Sequence, residues 1–325
     1  MRPLRLGLLG TGIAARKLYW PALKNMRHEV RLLACANRTR SKAEAFAGLS
    51  GAKVVADAKA LFALPELDAV LISLPIDSQP AYIIQALKAG KAVLSEKPMA
   101  PSLAAGRRLL ERARPFSRRG PLWMVGENLF FMPAAAWIEE LLCQGALGDL
   151  RLVEVRQSGW TDESVPYFHT AWRRQGRFVG GFVLDSGVHL AHVLRRLLGA
   201  PKELHGLSAS FNPGLPPIDS AVAVMRFSGG ALGSWLSSFS NAAGGPQLAL
   251  RGSKGSAELY WDHAVYKPRQ GRERVFRSKV DSFTLQFRHF ARAVLQNKKP
   301  AYTPAGALAD LAFMESVVRG RILRP

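Results

Sequence analysis

Asp185 and His189 stand four residues apart in the run GGFVLDSGVHLAHVL, Gly180–Leu194. On a helix that spacing puts a carboxylate and an imidazole on one face. The imidazole can exchange a proton near neutral pH, and the carboxylate can orient the ring or a bound hydroxyl. Lys97 is a second candidate, since it follows the apolar run AVLS and precedes Pro98. The end of a strand is where open α/β sheets collect their ligands, and an ammonium there can polarise a hydroxyl or carbonyl oxygen. Pro98 adds a turn that would hold the lysine, through a peptide bond able to be cis. The competing reading of Lys97 is a surface lysine before a turn proline. His192 raises the question of a metal, because Asp185, His189 and His192 could supply three ligands. No cysteine joins them, so no metal is expected and His192 reads as a helix-packing histidine.

A third piece of chemistry lies at the start of the chain, in GLLGTGIAARKLYW, Gly7–Trp20. Leu4, Leu6, Leu8 and Leu9 before it read as a buried strand, and Ile13, Leu18, Leu23 and Met26 after it keep helical spacing. A glycine turn between strand and helix leaves the first helical N–H groups open to a phosphate. The pattern Gly10-x-Gly12-x-x-Ala15 is that of a dinucleotide fingerprint ending in alanine. By itself Gly-x-Gly also turns strands that bind nothing, so the neighbouring elements decide.

Those elements support the nucleotide reading. LRLGLLG, VRLLACAN, AKVVAD, LDAVLISLP, KAVLSEKP and LWMVGEN read as strands, with helices between them and a long basic helix at LAAGRRLLERARPFSRR. Such alternation with continuously apolar strands predicts a doubly wound parallel sheet, and the fingerprint sits in its first strand-to-helix turn. A connection near Arg119–Trp123 ends this rhythm. Beyond it come a helix, an alternating strand from Asp149 to Trp160, a helix from about Asp185 to Leu198, and successive strands joined by glycine turns. These predict an α+β domain with a large, mostly antiparallel open sheet. The expected domains are 1–122 and 123–325, with the C-terminal helical tail packing back on the first.

Composition narrows the class. The chain has 325 residues, 48% of them hydrophobic, enough for a core in each of two domains. The apolar start is too short for a secretory signal, and no apolar run approaches the roughly twenty residues of a membrane span. Cys35 and Cys143 make a poor disulfide framework, so both read as buried thiols of a cytoplasmic protein. The net charge of +21 invites a nucleic-acid reading. Its Lys and Arg are dispersed in short groups without interleaved aromatics, so no specific nucleic acid is expected.

Four features in order, Gly10–Ala15, VLSEKP at Val93–Pro98, GENLFFMP at Gly126–Pro133 and Gly180–Leu194, resemble the glucose-fructose oxidoreductase / inositol dehydrogenase / MocA (Gfo/Idh/MocA) family over nearly the whole chain. The resemblance implies a Rossmann domain, an α+β domain and nicotinamide-dependent hydride transfer on sugars, cyclitols or their keto forms. It assigns catalysis to Lys97, Asp185 and His189, acting together across a domain cleft. It assigns cofactor contacts to Gly10, Thr11, Gly12, Ile13, Ala14, Leu74, Pro75, Gln79, Glu96, Lys97 and Asn128, and substrate contacts to Tyr167, Trp172 and Arg173. A homodimer or homotetramer is also in keeping with it. Gln79 stands where many relatives have histidine, and Phe130 where arginine is common, which leaves the substrate open. The residues after the second strand, Asn37, Arg38 and Arg40, bear on cofactor choice. NAD-binding chains usually place a carboxylate there, whereas arginine can clamp a 2′-phosphate. NADP(H) is therefore expected over NAD(H). The rival functions are a non-catalytic cofactor-binding regulator, which would not need Lys97, Asp185 and His189 together, and a charge-driven nucleic-acid binder.

Overall fold

Leu4–Leu9 (β1), Val30–Ala36 (β2), Lys53–Val54 (β3), Ala69–Ile72 (β4), Ala92–Ser95 (β5) and Trp123–Val125 (β6) form one sheet in the order β3-β2-β1-β4-β5-β6. Every pairing in it is parallel. All residues of β4 and β5 are buried, because helices cover both faces, and this is why those strands read as unbroken apolar runs. The covering helices are α1 (Trp20–Leu23), α2 (Arg40–Ser50), α3 (Ala58–Ala63), α4 (Gln79–Lys88) and α5 (Leu103–Ser117). Strand order reverses direction on either side of β1, which leaves a crevice beyond the ends of β1 and β4. The structure is a computed structural model and describes residues 2–117, 120–176, 178–241 and 244–322. Arg118 and Arg119, where the connection to β6 was expected to begin, lie outside the described residues.

The helix after β1 differs from the even run expected between Ile13 and Met26. Ala15–Tyr19 is π-helical, and the α-helical turn that follows ends at Leu23. One extra residue in a turn rotates everything after it by about 100°. Tyr19 is thereby turned inward, 2% exposed. Its ring meets Phe283 and Phe287 edge-on at 5.8 and 5.7 Å.

Both phenylalanines belong to a helix far along the chain. Contacts divide the chain into Met1–Asn128 with Val280–Leu308, and Leu129–Lys279 with Ala309–Pro325. The sequence reading placed one boundary between 122 and 123. The segment grouped with the first unit, Val280–Leu308, holds the helix Ser282–Leu295 and the start of the last helix, while Ala309–Pro325 groups with the second. Arg288 on that helix grips Glu29 through Nε and Nη2, each at 2.8 Å. This bond holds the Glu29 carboxyl below its usual range.

In the second unit, α6 (Pro133–Cys143) leads into the long strand β7 (Leu150–Trp160), followed by α7 (Ala171–Arg174) and α8 (Gly181–Leu198). The remaining strands are β8 (Glu203–Ala209), β9 (Ser220–Arg226), β10 (Leu232–Ser238), β11 (Ser240–Asn241), β12 (Leu248–Gly252), β13 (Gly255–Leu259), β14 (His263–Pro268) and β15 (Arg274–Arg277). Helices α9 (Ser282–Leu295) and α10 (Pro304–Arg319) close the chain. The sheet runs β15-β14-β13-β12-β7-β10-β9-β8, with β11 on the end of β7. It is antiparallel except between β7 and β10. Alternation sorts its residues: Ala221, Ala223, Met225 and Trp235 are buried, while Val222, Val224 and Leu236 are exposed. Trp235 packs on Phe313 of α10, with ring centroids 5.6 Å apart. Cys143 was expected to be buried, but as the last residue of α6 it faces solvent; Cys35 is buried, and burial pushes its thiol up to about 11.

One contact of a half-buried histidine in the first unit titrates. The Ala301 N–H donates to His289 Nε2 at 2.9 Å. Burial first, and the Arg292 charge second, lower the His289 pKa, so the folded state favours the neutral ring. An unfolded chain protonates its histidines below about pH 6.5. Stability from this site is complete above that value and falls as the pH drops toward the lowered folded pKa. Urea unfolding at pH 7.5 and pH 5.5 is expected to show a larger acid loss for the wild type than for His289→Gln. Equal losses would remove His289 from the acid response.

Candidate active site

The glycine loop is shaped by strand ends on both sides of it. Gly10 has φ +97°, and a Cβ there would lie 2.1 Å from the Ser73 carbonyl oxygen beyond β4. Only glycine fits that position. The Gly10 N–H donates to the Ala36 carbonyl at 2.8 Å, and the Ser73 N–H to Leu9 at 2.8 Å. Three chain ends are thus drawn together where the strand order reverses. Gly12 is different, since a Cβ there would meet nothing within 4 Å. The Thr11 hydroxyl is buried without a partner among the described residues. Open space over Gly12, a buried unpaired hydroxyl and a helix starting at Ile13 and Ala14 suit an approaching phosphate.

At the end of β2, Asn37 Oδ1 accepts the Thr11 N–H at 3.2 Å and Asn37 Nδ2 donates to Thr39 O at 3.0 Å. Its amide therefore staples the glycine loop to the turn after β2. Arg38 follows on the exposed surface. Arg40 bonds Glu44 at 2.8 Å one helical turn on, so its guanidinium already has a carboxylate partner.

Beyond β4, Leu74 would come within 3.1 Å of a Cβ on Gly10, and Pro75 O accepts the Gln79 N–H at 3.1 Å. Gln79 is fully buried, and its Nε2 donates to Pro98 O at 2.5 Å. That bond fastens the start of α4 to the turn after β5. The Lys97–Pro98 bond in this turn is cis. The Glu96 carboxylate accepts the Tyr19 hydroxyl and, through Oε2, the Lys97 N–H at 3.1 Å. Asn128 Nδ2 donates to Ser282 Oγ at 2.8 Å. Tyr19, Ser282 and the buried Gln286, which stands near Gly126, support this region and were not singled out from sequence. Tyr19 depends on a π turn, and the other two lie on a helix more than 150 residues away from Gly126.

In the second unit, α8 begins at Gly181, earlier than the sequence suggested, so Asp185 and His189 fall in its second and third turns. Gly180 and Gly181 both have positive φ, and a Cβ on Gly181 would come within 2.9 Å of two backbone carbonyls. The pair is a fixed bend. Asp185 is 5% exposed and accepts Arg173 Nε at 2.8 Å. Trp172 and Tyr167 lie against the same guanidinium. The structure thus brings Tyr167, Trp172, Arg173 and Asp185 into one cluster. His192 is elsewhere: its Nδ1 is 3.0 Å from Asp310 Oδ2, and Arg195 bonds the other oxygen of the same carboxylate. Asp310 lies more than a hundred residues away in sequence, and nothing local marks it. Among the described residues no three His, Cys, Asp or Glu side chains are grouped to hold a metal ion.

Residues 4–120 match the oxidoreductase family with an NAD-binding Rossmann fold, and residues 136–258 match the GFO/IDH/MocA C-terminal domain. A Fusarium mangiferae protein, Dehydrogenase FPY6, is 30% identical over 96% of this chain and 95% of its own length. The chain belongs to the Gfo/Idh/MocA oxidoreductase family. Trans-1,2-dihydrobenzene-1,2-diol dehydrogenase of Bos taurus is 28% identical over 79% of this chain and 74% of its own length. The crystal structure of an oxidoreductase from Thermotoga maritima matches with a TM-score of 0.91 and 32% identity, over 98% of this chain and 97% of that one. As a Gfo/Idh/MocA member the protein is an oxidoreductase whose first unit is an NAD(P)-binding Rossmann domain. Among the described residues no helix is long and apolar enough to cross a membrane.

The two glycines separate folding from binding. Gly10→Ala is expected to lose at least about 2 kcal/mol of stability, because strain and a backbone clash act together. Gly12→Ala is expected to melt within a few degrees of wild type, yet to bind NADPH at least roughly tenfold more weakly, since its methyl takes the phosphate's space. Thermal melts and NADPH fluorescence titrations check both, and a Gly12→Ala variant with wild-type affinity would contradict the assignment.

Proposed function

We propose that this protein is an NADP(H)-dependent oxidoreductase acting between a hydroxyl and a carbonyl on a sugar, cyclitol or related keto compound. The observation that carries the reading is the turn Glu96–Pro98. It sits at the end of β5 in a nucleotide-binding sheet, and Gln79, Tyr19 and Glu96 itself hold it in place. A lysine so placed suits one task, hydrogen bonding to an oxygen whose charge changes during reaction. When bound, the nicotinamide supplies or accepts the hydride. In the reducing direction, Lys97 Nζ donates to the carbonyl oxygen and stabilises the negative charge that grows on it. His189 delivers the proton that makes it a hydroxyl, and Asp185 orients the participants. In the oxidising direction the same groups take the proton away. The Bos taurus relative's name, a dihydrodiol dehydrogenase, agrees with chemistry at a carbon bearing a hydroxyl.

The preference for NADP(H) rests on the end of β2. Asn37 occupies the place of a ribose-binding carboxylate, and its amide is engaged by Thr11 and Thr39. Exposed Arg38 then supplies a cation that a 2′-phosphate would pair with. Glu127 and Asn128 support the nicotinamide side. Two free cysteines agree with a reducing, cytoplasmic setting.

The outward face of the nine-stranded sheet supports self-association. Leu207, Val222, Val224, Leu232 and Leu236 are exposed on β8, β9 and β10, and monomers rarely leave such contiguous apolar surface in water. A second copy of this chain is the partner that the reading assigns to it. Light scattering is expected to give a dimer or tetramer mass at micromolar concentration, and a monomer mass would overturn that assignment.

Kinetics with NADPH and NADH over a panel of aldoses, cyclitols, keto sugars and trans-dihydrodiols tests the function. Arg38→Ala is expected to shrink the preference for NADPH by one to two orders of magnitude, the worth of about 1.5–3 kcal/mol in a charge-assisted bond. Lys97→Ala should reduce turnover by about 10²-fold or more with NADPH affinity within roughly tenfold. His189→Ala should slow turnover by about 10²–10⁴-fold. Equal wild-type affinity for the two cofactors would refute the NADP(H) assignment. Undiminished turnover in both Lys97→Ala and His189→Ala would refute the proposed chemistry.

A further inference from the structure

The guanidinium of Arg173 lies over three aromatic rings and is anchored by two hydrogen bonds. Its Cζ lies 3.9 Å from the centroid of the Trp172 ring, 4.9 Å from that of Tyr167 and 5.8 Å from that of Phe182. Nε donates to Asp185 Oδ2 at 2.8 Å, and Nη1 donates to Thr170 Oγ1 at 3.1 Å. The side chains of the ion pair are 12% and 7% exposed. Thr170 is held in turn, since its hydroxyl also donates to Tyr167 O at 2.5 Å. A cation set over three rings and held by two hydrogen bonds has little freedom left.

The sequence reading gave Arg173, Trp172 and Tyr167 to the substrate. We propose instead that Arg173 is a positioning residue, which acts on the reaction through Asp185 by fixing where that carboxylate points. This rests on the reading of Asp185 as a working carboxylate. Trp172 and Tyr167 then serve by holding Arg173. Asp185 is fixed from two directions, by the backbone of α8 behind the rigid Gly180–Gly181 bend and by the guanidinium in front. Removing Arg173 takes away the 2.8 Å guanidinium bond that sets the direction of this buried carboxylate. Lysine is a poor replacement, because an ammonium cannot reproduce both the contacts with the rings and the pair of bonds from Nε and Nη1.

The experiment compares Arg173→Ala, Arg173→Lys, Asp185→Asn and the Arg173→Ala/Asp185→Asn double variant, with NADPH and the panel substrate of highest turnover. Arg173→Ala is expected to lower kcat roughly thirtyfold or more with KM within about threefold, and Arg173→Lys to regain less than about a tenth of it. The double variant should be no more than about threefold slower than Asp185→Asn alone, because the two residues share one role. Guanidinium ion at tens of millimolar, a small cation of the missing shape, should restore part of the turnover of Arg173→Ala and none to the double variant. A raised KM with unchanged kcat would make Arg173 a substrate contact and overturn the proposal. So would independent, multiplying losses in the double variant. Asp185→Asn at the wild-type rate overturns both this assignment and the reading of Asp185. A slow Asp185→Asn beside a normal Arg173→Ala overturns this assignment alone. If Arg173→Ala proves too unstable for kinetics, melting carries the test. Guanidinium, against an equal concentration of sodium chloride, should raise its Tm and leave that of the double variant unmoved; an equal response would overturn the proposal.

Discussion

A carbonyl oxygen at the end of β4 leaves no room for a side chain at the end of β1. The first unit is organised by that one steric fact. With Gly10 pressed against Ser73, the chain ends of β1, β2 and β4 close into a single seam, tied by Gly10 to Ala36 and by Ser73 to Leu9. The seam opens the N-terminal end of the first helix and brings Leu74 and Gln79 beside it. Gln79 then passes the constraint to the turn holding Lys97 through its bond to Pro98. A residue chosen for its lack of a side chain thus sets the position of a lysine more than eighty residues away.

Carboxylates are the scarce partner in this chain, 24 against 45 lysines and arginines. Several of the internal ones are held by guanidinium groups. Asp68 takes Arg2 and Arg5, Glu29 takes Arg288, Asp185 takes Arg173, and Asp310 takes Arg195 with His192. Burial would push the Asp68 carboxyl up, yet bonds from Arg2 and Arg5 outweigh it and hold it well below the usual range. Some of the large positive charge is therefore architectural. It gives buried acids a planar partner that can satisfy both oxygens.

The parallel sheet was legible in the sequence because burial on both faces leaves a signal in each strand by itself. The glycine turn at Gly10–Gly12, the place of Lys97 just past a strand and the shared helix of Asp185 and His189 were legible because turn chemistry and i,i+4 spacing are local. What escaped was set by register or by distance along the chain. Tyr19 points inward only because Ala15–Tyr19 takes on an extra residue per turn, and no residue there announces a π turn. Asp310 and Ser282 reach their partners, and Gln286 its place near Gly126, through tertiary folding, so spacing could not pair them. Arg173 was noticed as a charged residue near aromatics, but whether its partner was a ligand or Asp185 depended on coordinates. Gly180–Gly181 carries no sign of rigidity in the sequence, and positive φ with crowded carbonyls makes it rigid.

The first unit is assembled from two stretches of chain separated by the whole of a second sheet. On a ribosome, Glu29 emerges 259 residues ahead of Arg288, and Tyr19 likewise precedes Phe283 and Phe287. A nascent nucleotide-binding sheet must therefore wait with an uncovered aromatic flank and an unpaired glutamate until the helix Ser282–Leu295 has emerged. During that interval it is a natural client for a chaperone, and a transcript truncated before residue 280 would yield a protein that carries the glycine loop yet lacks the helix that covers it.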